Sequence, residues 1–274
     1  MKLKLLALLI ILALGATPAL AQGESANTIT FNGFGFSWDS ALADGVSVIQ
    51  YAGEPLDYEA PGSPQPPHTE FGLFRQIPWD QVPVDEMGYP GNDREGKGSV
   101  IVYRLADIAP YDFSQRQVEQ LQTLLAGRPD LAGYMQVDEN LTAYTLPFLP
   151  VFPAGQVIRA RAQYVDTGAA QGISYVTIYR QDVSPFIASE FYYTFQGISA
   201  DGLSYVAATF PLTIEGFLAE YPTDFDYEAF IARLDEYFTE SIAQINAAPA
   251  ESFSPRLEQL DAIIESIAFL TTGA

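Results

Sequence analysis

The chain has 274 residues, 34 of them acidic against 13 basic, giving a formal net charge of −21, and it holds one histidine and no cysteine. The missing thiols exclude a disulfide scaffold, a thiolate metal site and a cysteine nucleophile, and the negative field repels phosphate backbones, so no nucleic-acid partner is expected. With 48% apolar, 13% aromatic and 17% charged residues, the composition is that of a folded chain whose stability must come from a hydrophobic core, surplus carboxylate serving solubility.

The first segment reads as a secretory leader. Lys2 and Lys4 supply a charged start, Leu5 to Leu14 an apolar run too short to span a bilayer, and Ala19-Leu20-Ala21 a small-residue cleavage site before Gln22. Cleavage after Ala21 would deliver residues 22–274 to the periplasm or the medium as a single globular domain, with no membrane span left in the mature form. No internal repeat or linker divides that stretch.

Residues Thr28 to Trp38 read as one strand, in which Ile29, Phe31 and Gly33 alternate with Thr30 and Asn32. Asp44-Gly45 marks a turn before a second strand, Val46 to Tyr51. Five prolines between Glu54 and Pro67 make that connector an extended loop. His68 to Phe74 resumes a strand, Pro78 to Gly98 is chopped into turns, and Ser99 to Leu105 is a further strand. Ser114 is placed to cap a helix that runs to Gly127, with Val118, Leu121, Leu124 and Leu125 on one face. The run Leu146 to Pro153, a proline every third residue, is expected to be an extended connector packed along a core edge.

From Gln156 to Phe210 the pattern is a meander of four strands. Ile158, Ala160, Ala162 and Tyr164 alternate with Arg159, Arg161 and Gln163 and are assigned to one face; Phe191, Tyr193 and Phe195 face opposite to Tyr192, Thr194 and Gln196. Asp201-Gly202 makes a turn. One helix is expected from Asp226 to Asn246. Another follows, with Ser254 as its cap, Pro255 at its first position, and Leu257, Leu260, Ile263, Ile264 and Ile267 on its apolar face. The fold class is therefore α+β: an antiparallel sheet, the meander 156–210 plus N-terminal strands, packed by helices that include two C-terminal ones.

Chemistry is thinly marked. Any histidine base must be His68, which Glu70 is placed to orient, but no serine carries the surroundings of a nucleophile elbow. The acid pairs Asp85-Glu86, Asp138-Glu139, Asp224 with Asp226, and Glu236 with Glu240 are what a glycoside hydrolase would draw on, and with so many acids they also arise by chance. Asn92 to Gly96 reads as a polar turn rather than a calcium loop. There is no Walker spacing, so no cofactor and no metal is assigned. Two ligand-binding candidates remain: Trp79, set between Pro78 and Asp80 where its ring can stack on a ligand, and His68.

Phe31-Asn32-Gly33-Phe34-Gly35-Phe36, the proline connector up to His68, Leu146-Pro147 to Gln156, Phe191 to Gly197 with Asp201-Gly202 and Tyr205-Val206, and Leu257 to Ile267 resemble an uncharacterised family of exported bacterial proteins. The opening Gly-Phe-x-Phe strand and the closing Leu-Asp-x-Ile-x-x-Ser-Ile helix are also similar to the PsbP-like fold. That resemblance implies an antiparallel sheet flanked by helices and a non-enzymatic accessory or binding role. The function expected is an exported, non-catalytic binding or accessory module, its partner a small ligand or another exported protein. A secreted carboxylate-dependent hydrolase, which would set two acids facing each other in an aromatic-lined cleft, and a structural envelope component stand as alternatives.

Overall fold

The structure is a computed structural model that describes residues 26–57, 63–135 and 145–270. The expected leader with its cleavage site and the pair Asp138-Glu139 lie outside the described residues. Among the described residues no helix is long and apolar enough to cross a membrane.

The first expected strand is two. β1 (Ala26–Phe31) and β2 (Phe34–Asp39) form an antiparallel hairpin, Phe31 opposite Phe34. Asn32 and Gly33 take φ of 49° and 78° at its tip. Two left-handed residues in succession are what a two-residue hairpin loop demands, and Asn-Gly supplies them at the lowest steric cost. The fold-back sends Phe34, Phe36 and Trp38 inward together.

Seven strands make the main sheet: β3 (Gly45–Tyr51), β4 (His68–Gln76), β5 (Arg94–Arg104), β6 (Gly155–Asp166), β7 (Ala170–Arg180), β8 (Phe191–Ser199) and β9 (Ser204–Ile214). Their spatial order is β3-β4-β5-β9-β8-β7-β6, all neighbours antiparallel. Two meanders, one N-terminal and one from residue 155 onward, are thus joined along β5 and β9. β5 starts earlier than the turn-rich reading of residues 78–98 allowed, at Arg94, because Gly96 and Gly98 serve the strand itself. Gly98 has φ of 115°, and a Cβ there would stand 2.5 Å from Phe210 Cδ1, so glycine permits a close approach of strands at a bulge.

A second bulge corrects the face assignment in β6. Pairing runs from Ala160 opposite Val176 to Gln163 opposite Ser174, which leaves one extra residue on β6, and Arg161 sits there with φ of 52°. Strict alternation is broken at that point. Ile158 and Ala160 enter one core, while Ala162 and Tyr164 pack against the other. The guanidinium of Arg161 donates to the carbonyls of Ile245 (3.1 Å), which also accepts from Ala248 N–H, and of Ala248 (2.8 Å), placing a cation at the C-terminal end of α4.

Helices follow α1 (Leu105–Ile108) and α2 (Asp112–Gly127). Tyr111 rather than Ser114 is the N-cap of α2; Ser114 lies inside the helix, buried, its hydroxyl without a partner among the described residues. The long C-terminal helix expected from residue 226 is broken into α3 (Tyr227–Ile231) and α4 (Leu234–Ala247). Only α4 has a core beneath it, with Phe238, Ile242 and Ile245 buried, whereas Tyr227 and Ile231 stay exposed. A continuous helix would gain no packing from its first turns. Ser254 belongs not to a cap but to β10 (Phe253–Ser254), paired with Thr213 of β9. α5 (Leu257–Glu265) then begins after Arg256, whose N–H donates to Gln259 Oε1 at 3.2 Å, and β11 (Ala268–Phe269) closes the small sheet against β2.

The two faces of the main sheet differ. One is aromatic and aliphatic, with Phe71, Phe191, Phe195 and Phe210 packed under β2, α4 and α5. The other packs Tyr103, Tyr175 and Tyr205 against α2 and the connector Leu146 to Val151. Prolines deny that connector a ladder, and glutamine side chains replace it. Gln156, Gln117, Gln196 and Gln65 accept from the backbone N–H groups of Leu146 (2.9 Å), Phe148 (3.1 Å), Leu149 (2.9 Å) and Val151 (3.3 Å). The buried backbone of a proline-rich segment is thereby satisfied without secondary structure.

Candidate functional site

β3, β4 and β5 end side by side, and their register builds a row of rings on the tyrosine-rich face. Tyr51 lies opposite His68, and Tyr103 opposite Tyr205. The His68 ring stacks on Tyr51 (centroids 4.6 Å, 28°) and leans on Tyr103 (5.0 Å), which in turn meets Tyr205 edge-on at 6.3 Å. Such contacts add to area burial by about 0.5–1.5 kcal/mol each.

His68 Nδ1 lies 2.7 Å from the carbonyl of Pro66, which can only accept, so Nδ1 carries the proton and Nε2 keeps a lone pair. Burial lowers the imidazole pKa, outweighing the Pro66 bond and the nearby Glu70, both of which raise it. The ring is therefore neutral at pH 7 and accepts through Nε2. Pro66, and not Glu70, orients it. Glu70 acts instead on Tyr51, whose phenol it raises.

Two cavities meet at His68. The larger, about 470 Å³, is walled by the β1–β2 hairpin tip through Asn32 and Phe34, by Phe269, and by Arg104, whose Nε and Nη2 donate to the Asp107 carboxylate at 2.7 and 3.0 Å. The second, about 340 Å³, is lined by Tyr51, Glu54, Gln65, His68, Glu70 and Pro150 among others. Both volumes suit a small ligand. The second cavity offers two carboxylates and a neutral imidazole, and among the described residues no lysine or arginine lines it.

Beneath it lies an anomaly. Tyr103 is fully buried, and its hydroxyl has no hydrogen-bond partner among the described residues. Desolvation, then the charge of Glu70, hold that phenol far above its ordinary pKa, so it stays a donor with nothing to receive its proton. An unmet buried hydroxyl costs about 1–3 kcal/mol. Tyr205, equally buried, donates to Gln196 Oε1 at 2.7 Å.

Serine chemistry does not assemble here. Ser99 lines the smaller cavity but pairs with Gly72, four residues along β4 from His68, a separation of about 13 Å at 3.3 Å per residue. Trp79 lies elsewhere, 89% exposed in a short 3₁₀ turn (Trp79–Gln81), and lines none of the cavities described, so the two sequence candidates are not brought together. The acid pairs are engaged locally: Asp85 accepts from the N–H groups of Met87 and Tyr89, Asp226 from that of Ala229, and Glu236 from Arg233. Asn92 Oδ1 accepts from Arg94 N–H as β5 begins. No group of three or more metal-ligating side chains occurs among the described residues.

One carboxyl that the sequence did not single out is perturbed. Asp261 of α5 accepts from the Tyr193 hydroxyl at 2.7 Å, and burial raises its pKa against the lowering effect of that bond. It lines a third cavity, of about 370 Å³, together with Arg161, Gln163, Ser174 and Glu258. Glu258 stands one turn away on the same helix. The two acids lie side by side and do not face each other across a cleft as glycoside hydrolysis requires.

Tyr51, Glu54, Gln65 and Tyr103 were missed by sequence reasoning. The alternation of β3 and β5 marks Tyr51 and Tyr103 as facing one way, but only the pairing of β3, β4 and β5 sets them beside His68. Comparison of the chain with protein-family models, with curated proteins and with solved structures finds no match.

Proposed function

We propose that the protein is an exported, non-catalytic binding module whose site is the cavity pair at His68. Export is supported by the leader from Lys2 to Ala21 and by a thiol-free, acidic composition. The resemblance to exported proteins and to the PsbP-like fold points to the same role. The observation that carries the reading is the lining of the smaller cavity: Glu54, Glu70 and His68, whose Nε2 keeps a lone pair, beside the Tyr51 ring, with no cationic side chain among the described residues. Such a lining recognises hydrogen-bond donors. The ligand is a neutral polyhydroxylated molecule or a small amine, not an anion.

The test is a thermal-shift screen of the mature protein with neutral sugars, amines and small carboxylates, because a ligand that binds only the native state raises the apparent stability. Sugars or amines are expected to shift the wild type and to leave a His68→Leu variant unmoved. A shift by carboxylates alone, or an equal shift in the variant, overturns the assignment.

A further inference from the structure

A recess of about 330 Å³ opens between the loop at Pro185 and helices α3 and α4. Phe225, Phe230 and Tyr237 line it. Their rings meet edge to face, Phe225 with Phe230 at 5.8 Å and 84°, Phe230 with Tyr237 at 5.1 Å and 64°. Tyr237 is pinned, since its hydroxyl accepts from the N–H of Phe186 at 2.6 Å. Phe225 remains 36% exposed. Asp226 and Glu240 share the lining. Asp226 uses one oxygen to accept from Ala229 N–H. The one cation there, Arg233, is ion-paired through Nε to Glu236 at 2.7 Å, so the local balance is three acids against one base.

We infer that this recess binds an alkylated ammonium group. A soft cation without N–H donors gains from ring faces, and the nearby carboxylates supply charge without demanding hydrogen bonds. An anion would meet the acids, and an uncharged apolar group would forgo the field of a chain whose net charge is −21. The ammonium can belong to a free solute or to a lipid headgroup; the recognition chemistry is the same. This site is separate from the cavity at His68.

Calorimetric titration of the mature protein with tetramethylammonium and with choline, at matched ionic strength, tests it. Both should saturate one site, with 3,3-dimethyl-1-butanol, the uncharged counterpart of choline, binding about tenfold more weakly or not at all. Phe225→Ala, at a partly exposed position, should weaken choline about fivefold, the size of one ring–cation contact. Glu240→Gln should weaken it as well, and Arg233→Gln should tighten it. His68→Leu should leave it unchanged. Cosedimentation with phosphatidylcholine vesicles, competed by choline and absent with phosphatidylglycerol, would assign the ammonium to a headgroup; saturation by choline without vesicle binding would assign it to a solute. Equal affinity for the uncharged counterpart, no effect of Phe225→Ala and Glu240→Gln, or loss of choline binding in His68→Leu would overturn the inference.

Discussion

Replacing Tyr103 by Phe should make the protein more stable, although it deletes a polar atom from a well-packed site. The ring contacts with His68 and Tyr205 survive the change. What goes is a hydroxyl that is fully buried and bonded to nothing among the described residues. Its uncompensated desolvation costs about 1–3 kcal/mol, and the hydroxyl-sized void left behind trims the gain, so a rise of about 1–2 kcal/mol is expected. Tyr205→Phe is the internal control. It removes a bond of 2.7 Å to Gln196 Oε1, which still accepts from Leu149 N–H, so it should cost about 1 kcal/mol. Urea unfolding followed by the fluorescence of buried Trp38 measures both. With a slope on the order of 3 kcal/mol/M, the midpoints should move apart by roughly 0.7–1 M, in opposite directions from wild type. If Tyr103→Phe loses 1 kcal/mol or more, the hydroxyl has a native partner and the reasoning from its isolation fails.

Gln196→Leu should be far more damaging. Gln196 serves Leu149 at both N–H and carbonyl, the Tyr205 hydroxyl and Thr194 Oγ1, and leucine would strand several of these in the core. A loss of about 3–5 kcal/mol in urea unfolding is expected, with faster amide exchange at Leu149; a loss below about 1 kcal/mol would show that the connector is held by packing alone. Asp261→Asn should alter the pH dependence of stability. Burial raises the folded-state pKa of Asp261, with Glu258 and Glu265 raising it further and Arg161 opposing them. The folded protein therefore holds that proton more tightly than the unfolded chain. The stabilisation is complete below the unfolded carboxylate pKa and is lost as pH rises through the folded value. Urea midpoints at about pH 4 and about pH 7 should show the variant gaining on wild type with rising pH; parallel curves would contradict the assignment.

What was legible in the sequence was periodicity, and what was not was pairing. The meander from residue 155 to 214 and the apolar faces of α2 and α5 follow from side-chain spacing, which depends on neighbours along the chain. The Asn32-Gly33 turn carried a recognisable signal that was read through, because flanking phenylalanines continue the strand pattern on both sides. The bulge at Arg161 had no comparable mark. Arginine at φ of 52° is held by the C-terminal end of α4, whose approach no local pattern announces. The gap between α3 and α4 has the same origin, since apolar spacing persists through it while the core ends. His68 could be named because no other histidine exists. Its neighbours Tyr51 and Tyr103 come from strands 17 positions before it and 35 after it, and only the β3-β4-β5 order unites them.

The position of the cavity follows from where hydrogen-bond partners run out. On the tyrosine-rich face the connector from Leu146 to Val151 supplies acceptors and donors to Tyr175, Gln156 and Gln196, and Gln196 in turn to Tyr205. Tyr175 donates to Pro147, Gln156 and Gln196 each bond backbone groups, and Tyr205 reaches Gln196. Near Pro150 the connector passes the wall of the smaller cavity, and the next tyrosine in the cross-strand row, Tyr103, is left without a partner. A sheet face that mixes buried hydroxyls with its apolar packing must give each of them a partner, or leave it unmet. The cover here stops two strands short of the sheet edge, leaving β4 and β3, where His68 and Glu70 are partly buried and Tyr51 is exposed. The Tyr103 hydroxyl, a donor that lines neither cavity, gains nothing from the arrival of a ligand; the groups a donor-bearing ligand would meet are the acceptors at the uncovered edge, Glu70 and His68 Nε2.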